Sequence, residues 1–273
     1  MIRLVTEEQL PRLQEICARD PVSGVQLLSQ HQSWRQDWER GTLWVGENRR
    51  GRPQYLLGRS GDFFRIAGRR VDRMGELVEF LQLQGCRSVQ GEAALMQRLG
   101  RYLALEPYTS LTMTLRRPQP FSGDAPPVPC SSLSRFYEMT AAGYPYFRDY
   151  VPREEWMTSQ FAQLRAGCLQ LWQYEEAGQP VCGGALTAPE GTPWAMIGTI
   201  STHPDYRGRG YASRMVRFLC GQAASLGRMV CLDCGEPELE AFYRPLGFAV
   251  SGQWTALEPP DGQENRKEDN IAE

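Results

Sequence analysis

Most of the features that mark a membrane, secreted or nucleic-acid-binding chain are missing here. No run approaches the roughly 18 apolar residues that a membrane span needs, and the start MIRLVTEEQLPRL lacks the apolar core of a secretory leader. There is no excess of basic charge. Thirty Lys and Arg face 32 Asp and Glu, a net charge of −2, so no global field attracts nucleic acid as the main partner. Histidine is scarce, with His31 and His203 alone, which leaves little material for a histidine-based metal site. The eight cysteines (17, 86, 130, 168, 182, 220, 231 and 234) follow no framework. Most sit inside apolar runs, which suits buried free thiols in a reducing cytoplasm better than disulfides. CLDC at 231–234 has no second pair and no nearby histidine, so it reads as strand and no metal is expected.

What is present suits a soluble globular protein: 273 residues, 41% apolar and 23% charged. That length favours two domains of ordinary size. The clearest boundary is RPQPFSGDAPPVPC, 117–130, whose prolines fix φ and remove ladder donors, so it reads as a semi-rigid linker. Residues 1–116 and 131–258 are then the two domains, and the polar stretch at 259–273 reads as a disordered tail. In the second domain, helices are expected at 131–142 and 152–166, the latter with Pro152 at its first position. Three strands follow at 168–174, 180–188 and 193–202. A helix over about 210–226 comes next, with Met215, Val216, Leu219, Ala223 and Leu226 on one face. The strand RMVCLDC, the short helix PELEAFYRPL and the strand FAVSGQWTAL complete it. The first domain repeats this order faintly: IRLV, helices over 7–19 and 21–32, three short strands, a helix at 71–84, SVQGE, a helix near 92–100, and YTSLTMTLR. The shared order predicts an α+β architecture in tandem.

The richest stretch is THPDYRGRGYASRMVRFL, 202–219, where Arg207, Gly208, Arg209 and Gly210 precede an amphipathic helix. Glycines cost backbone entropy, so something should compensate, and an anion held by backbone N–H groups would do so. A Walker A loop needs a Gly-Lys-Ser/Thr ending, which Tyr211-Ala212-Ser213 does not supply. A dinucleotide fingerprint would have Asp233 at a suitable distance, but its third glycine position is Ser213 and HPDY separates the strand from the first glycine. A plain loop with left-handed glycines is the bland alternative.

The run Ile200-Ser-Thr-His-Pro-Asp-Tyr-Arg-Gly-Arg-Gly-Tyr-Ala-Ser resembles the acetyl-CoA-binding signature of the GNAT N-acetyltransferase superfamily, with Arg207, Gly210 and Ala212 at its defining positions. AFYRPLGF at 241–248 matches the family's later helix-to-strand element. The resemblance covers about residues 131–257, and the first half shares only the element order. It implies the GNAT acyl-CoA N-acyltransferase fold, a mixed central sheet flanked by helices, and acetyl-CoA as cosubstrate. It also implies that Gly208, Arg209, Gly210, Tyr211, Ala212 and Ser213, with Arg207, surround the diphosphate. Ile200, Ser201 and Thr202, at the end of the preceding strand, then pair with the pantetheine arm.

The chemistry implied is acetyl transfer to the amine of a small molecule or an amino-acid-like acceptor. A free amine of pKa ~10.4 is mostly charged at pH 7, a deficit of ~4.6 kcal/mol that a base or a desolvating pocket must offset. Tyr243 is the expected acid for the departing thiolate, since a phenol is a donor with pKa ~10. Two departures from the family pattern stand out: Glu236 replaces an asparagine seven residues before the tyrosine, and PWAMIGTIST carries no acid. Either the base comes from elsewhere, with Asp149, Glu154, Glu155, Glu236 and His203 as candidates, or the amine loses its proton to water. In this family the segment AGYPYFRDYVP, 142–152, covers the acceptor pocket, so Tyr144, Tyr146, Phe147, Asp149 and Tyr150 are the expected lining, with aromatic packing under a loop as the alternative. The first half lacks the glycine signature, AGRRVDRMG at 67–75 being the nearest stretch. It is expected to be a degenerate domain that shapes the pocket or mediates homodimerisation. Two other functions stay open: transfer of another acyl group, as in glycine N-acyltransferase-like proteins, or a catalytically weak CoA-binding module.

Overall fold

A computed structural model describes residues 1–35, 37, 40–118, 120–121, 125–144, 147–235 and 237–260. The chain begins with strand β1 (Ile2–Leu4) and helices α1 (Leu10–Arg19) and α2 (Pro21–Ser33), followed by β2 (Leu43–Glu47), β3 (Pro53–Ser60) and β4 (Phe63–Ala67). Helix α3 (Met74–Leu83), β5 (Ser88–Glu92), α4 (Ala93–Leu99) and β6 (Glu106–Leu115) close the first half. The second half runs β7 (Val128–Pro129), α5 (Leu133–Gly143), α6 (Phe147–Tyr150), α7 (Arg153–Arg165), β8 (Leu169–Glu176), β9 (Gln179–Thr187) and β10 (Trp194–Thr202). Helix α8 (Tyr211–Ser225), β11 (Met229–Cys234), α9 (Pro237–Tyr243) and β12 (Phe248–Glu258) complete it.

The strands form one 12-stranded sheet in the order β1-β2-β3-β4-β5-β12-β6-β11-β10-β9-β8-β7. Read from either end, the order is the same once each strand of one half is exchanged for its counterpart in the other. The parallel pairs obey that symmetry too: β4 with β5, and β10 with β11. The faint repeat of element order is therefore a pseudo-twofold arrangement of the backbone. Its centre is the long antiparallel ladder between β6 and β12, from Phe248↔Leu115 to Glu258↔Glu106. Each half gives its last strand to the other, since β12 also pairs with β5, and β6 with β11.

Packing around β9 shows how the second half is assembled. A Cβ added to Gly183 would lie 2.6–2.7 Å from Met139 and Phe136 of α5. On the opposite face, a Cβ on Gly184 would lie 2.7–2.9 Å from Met215, Leu219 and Ile200. The adjacent glycines thus let α5 and α8 approach the same strand from both faces. Met215, Val216, Leu219 and Ala223 bury the core face of α8 as its periodicity predicts, roughly 1.5–3 kcal/mol for each large side chain. Leu226 does not join them: it is exposed, because α8 has already ended at Ser225.

Three further expectations need correction. The end of the proline-rich segment is not linker alone, since Val128 and Pro129 form an edge strand against Gln173 and Trp172, a position where a missing proline N–H is tolerated. Pro152 caps α7 with extended ψ instead of opening its first turn. Residues 142–152 contain the short helix α6. The expected tail from 261 onwards lies outside the described residues.

Candidate active site

The site begins with an irregularity in β10. Its parallel ladder to β11 covers Trp194↔Met229 to Met196↔Cys231 and then stops, while β11 continues beside β6. On its other side β10 stays with β9, but the register shifts between Gly198 and Ser201. One extra residue is accommodated there, and Thr199 takes a left-handed φ of 51°. Such a bulge bends a strand and re-aims its groups. Beyond Met196, β10 and β11 part, leaving the inner backbone edge of Ile200 and Thr202 without a strand beside it among the described residues. The Ile200 side chain packs into the core with α8, and Ser201 is buried, its Oγ donating to the Thr140 carbonyl at 3.4 Å. What these residues offer to a ligand is therefore main chain.

The strand leads through a turn at Pro204–Tyr206 into the glycine loop. Gly208 and Gly210 hold φ of 74° and 77°, with no atom within 4 Å of where a Cβ would sit. Packing does not require glycine here, but the backbone conformation does. Gly210 is the N-cap of α8 and supplies no side-chain cap, and Arg214 N–H is bonded to its carbonyl at 3.1 Å. The N–H groups before Arg214 are those that a helix start leaves without an intrahelical acceptor. Around this end the side chains are committed to the protein. Arg207 Nη2 donates to the Gly143 carbonyl, Arg209 Nη2 to the Asp205 carbonyl at 3.1 Å, and Tyr211 Oη to Glu176. Arg214, which no sequence motif singles out, stacks its guanidinium over the Tyr211 and Tyr174 rings at 4.6 and 5.2 Å. Ala212 and Ser213 lie half-buried in the first helical turn.

Across the gap, on the β11 side, Tyr243 ends α9 with 7% exposure, its ring centroid 5.0 Å from that of Phe242 and 5.6 Å from that of Phe248. Burial pushes its phenol well above the usual tyrosine value, reinforced by the charges of Asp233 and Cys234 and the neighbouring Tyr144 phenol. At neutral pH it is a proton donor. Asp233 lies two residues beyond the last β10–β11 pair. Its carboxyl is raised above the ordinary aspartate value by burial, while Arg65 pulls in the opposite direction. Its alternate neighbour Cys231 packs with Val22 and Val25 of α2 and with Met196, whereas Leu232 and Cys234 pack towards α8. Period-two alternation thus turns Asp233 to the α2 side of the gap.

Of the bases expected from the sequence, those among the described residues are not brought here. His203 caps the following turn, Nδ1 accepting from the Asp205 N–H at 3.4 Å. Glu154 and Glu155 are exposed in the first turn of α7, and Asp149 is exposed on α6. Glu236 lies outside the described residues. Of the expected acceptor lining, Phe147 packs inward, its centroid 5.3 Å from Tyr137 and 6.4 Å from Trp156, so the aromatic-packing alternative holds for it. Tyr144 is 47% exposed and close enough to Tyr243 to raise its pKa. Tyr146 and the Tyr150 side chain lie outside the described residues.

Comparison with known proteins agrees with this geometry. The family model "Acetyltransferase (GNAT) family" matches residues 133–248, which span the β10–turn–α8 unit and Tyr243 but stop at the first residue of β12. No curated protein matches the chain. Among solved structures, it is similar to a GCN5-related N-acetyltransferase from Sphaerobacter thermophilus (TM-score 0.61, 17% identity, 94% of each chain covered). It is also similar to a GNAT-family acetyltransferase from Colwellia psychrerythraea (TM-score 0.57, 14% identity, 94% of this chain and 99% of that one). A tandem GNAT protein from the clavulanic acid biosynthesis pathway has TM-score 0.59 at 12% identity, with 94% of this chain and 98% of that one covered. At these identities the structures speak for the fold, in tandem form, and the family model for the second half. Residues 133–248 thus form a domain that matches the GNAT acetyltransferase family, and the chain as a whole shares the fold of these structures.

Proposed function

We propose that the protein is an acetyl-CoA-dependent N-acetyltransferase acting on a small-molecule amine. The observation that carries this reading is the uncapped start of α8, opened by two left-handed glycines directly beside the free edge of β10. Several N–H donors and the helix dipole there suit a diphosphate, while a Cβ at either glycine would stand in its way. The main chain of Ile200 and Thr202 suits the amide groups of a pantetheine arm laid along the strand edge. The acceptor is a small molecule and not a nucleic acid, in keeping with the net charge of −2.

In this reading Asp233 takes a proton from the amine as its nitrogen bonds to the acetyl carbon. The C–S bond then breaks, and Tyr243 gives its proton to the departing sulfur. A carboxylate raised by burial is a better base than an ordinary one, and a phenol held protonated is available as acid. That the first half lacks an equivalent cofactor loop is supported by α3, which starts from Arg73 with negative φ and no left-handed glycine at its cap. Calorimetry with acetyl-CoA, followed by CoA release against an amine panel, tests the reading. Absence of acetyl-CoA binding by the intact chain would overturn it, and binding without release to any amine would favour the CoA-binding module.

A further inference from the structure

A cavity of about 360 Å³ lies between α2 and α7, within the size range of small-ligand sites. Both halves build it: Gln26 and Ser29 of α2, Arg65 of β4, Gln163 of α7, and β10 at Gly198 and Thr199. It therefore reaches the bulge at which β10 parts from β11. Ser29 and Gln163 satisfy each other, Oγ donating to Oε1 at 2.8 Å. Two other groups on the wall lack what their chemistry requires.

Gln26 Oε1 is a buried acceptor with no donor among the described residues. Arg65 forms no ion pair among the described residues: its Nε and Nη2 reach the Gln90 amide oxygen when that amide is turned towards them, and its guanidinium lies 5.1 Å from the Phe63 ring centroid. Desolvation brings its pKa down to about 10, with Asp233 and Asp20 opposing at longer range, so it stays cationic at neutral pH. A guanidinium withdrawn from water, with an amide and a ring against it and its carboxylates beyond ion-pair distance, carries a desolvation cost that is only partly offset. The pseudo-symmetry sharpens the point. Arg65 and Met196 are the last paired residues of β4 and β10 on their parallel neighbours, and both line the cavity. A cation thus stands in one half where the other has a thioether.

We infer that this cavity is the acceptor site and that its substrate is an amine carrying a carboxylate, which Arg65 holds while Gln26 Oε1 accepts an amine N–H. This rests on the acetyltransferase reading above. The first half thereby acquires a role in catalysis: although it lacks the glycine loop, it supplies the groups that choose the acceptor. A bidentate guanidinium–carboxylate pair provides both the affinity and the orientation, leaving the amine free to face the β10 edge.

The experiment compares matched amines on the full chain: leucine with leucinamide, phenylalanine with phenylalaninamide, and 5-aminovalerate with pentylamine. CoA release gives kcat and KM, and calorimetry without acetyl-CoA gives direct binding. The carboxylated member of at least one pair should be preferred by about tenfold to a hundredfold, mainly through KM. Arg65→Met should bring that preference close to one with acetyl-CoA affinity unchanged, and Arg65→Lys should restore part of it. Gln26→Leu removes an acceptor that has no partner among the described residues, so the fold should persist while KM rises several-fold. Equal use of both members of every pair, or a preference that survives Arg65→Met, overturns the inference. Should acetyl-CoA itself fail to bind, the transferase reading falls, and calorimetry still decides the pocket: carboxylated amines binding the parent but not Arg65→Met support it, and no binding overturns it.

Discussion

Arg207 donates from Nη2 to the carbonyl of Gly143, 2.5 Å away, and so ties the glycine turn to the last residue of α5. The contact is close on both sides, since a Cβ on Gly143 would collide with Ser201 Oγ and come within 3.0 Å of the Thr202 carbonyl. The arginine of the signature therefore positions the loop. Arg207→Ala should lower stability by about 1 kcal/mol, below the ~1.5–3 kcal/mol typical of hydrogen bonds to charged groups because the residue is exposed, read from the urea midpoint. Gly143→Ala should loosen the same junction, and the double variant should lose less than the sum of the two. Strict additivity would show that the two residues act separately.

Gly210→Ala should weaken acetyl-CoA binding far more than it weakens the fold. An L-residue at a φ of 77° costs about 1–2 kcal/mol, and that cost must be separated from the effect on the ligand. Gly61 offers the control: its φ is 63° and its Cβ position is equally open, but it lies in the β3–β4 turn. Both alanine variants should show a comparable fall in melting temperature, with acetyl-CoA affinity lost only at position 210. Equal affinities in the two would remove the loop from the cofactor site.

Cutting the chain in the segment 117–130 should not release two folded halves. Residues 1–116 alone would leave β5 and β6 without β12, which pairs with both along the centre of the sheet. That piece should be poorly folded or self-associated by dichroism and gel filtration. Co-expression with residues 117–273 should recover a soluble complex, because every ladder then has its partner.

The exchange of β6 and β12 also shows what can and cannot be read in the sequence. The β10–turn–α8 unit is legible because its glycines, proline turn and helical apolar face lie within some thirty consecutive residues, where local rules suffice. Element order reveals the tandem halves, but which strand lies beside which is set by pairings far apart in sequence, so the swap is invisible there. Phe147 reads as acceptor lining because aromatic residues in a loop look alike whether they pack inward or not, and only its contacts with Tyr137 and Trp156 decide. Asp233 is easily passed over as a base inside an apolar strand. The signal is present: in CLDC the acid alternates with Leu232 and Cys234, so it has to face the opposite side from the α8 core.

Asp233→Asn should change both the pH profile and the stability. The folded state holds this proton more tightly than the unfolded chain, because burial raises the carboxyl above 3.8. Its favourable contribution is complete below the unfolded value and is lost as pH rises through the folded one. Asparagine escapes that loss, so the variant should melt higher than the parent at pH 7 and show no such gain at the acid end. If Asp233 is the base, kcat/KM in the parent rises through two ionisations, those of the carboxylate and the amine, and only the amine's remains in the variant. An unchanged acid limb with a raised melting point would make Asp233 a buried charge and nothing more.

Tyr243→Phe should lower turnover more than it lowers acetyl-CoA affinity. The ring packs between Phe242 and Phe248, and phenylalanine keeps those contacts. The proton it is proposed to give is needed late, as charge builds on sulfur, so its removal acts on the transition state more than on the ground state. A thiolate whose conjugate acid has a pKa near that of cysteine, about 8.5, is a tolerable leaving group without help. The loss should therefore lie within the general-acid range of about 10²–10⁴-fold, towards its lower end. Burial holds the phenol protonated well above the ordinary tyrosine range, so the parent's activity should show no alkaline fall from Tyr243 below about pH 10, the ordinary tyrosine value. Phenylalanine with unchanged kcat would take Tyr243 out of the mechanism. A matched fall in rate and acetyl-CoA affinity would assign it to packing.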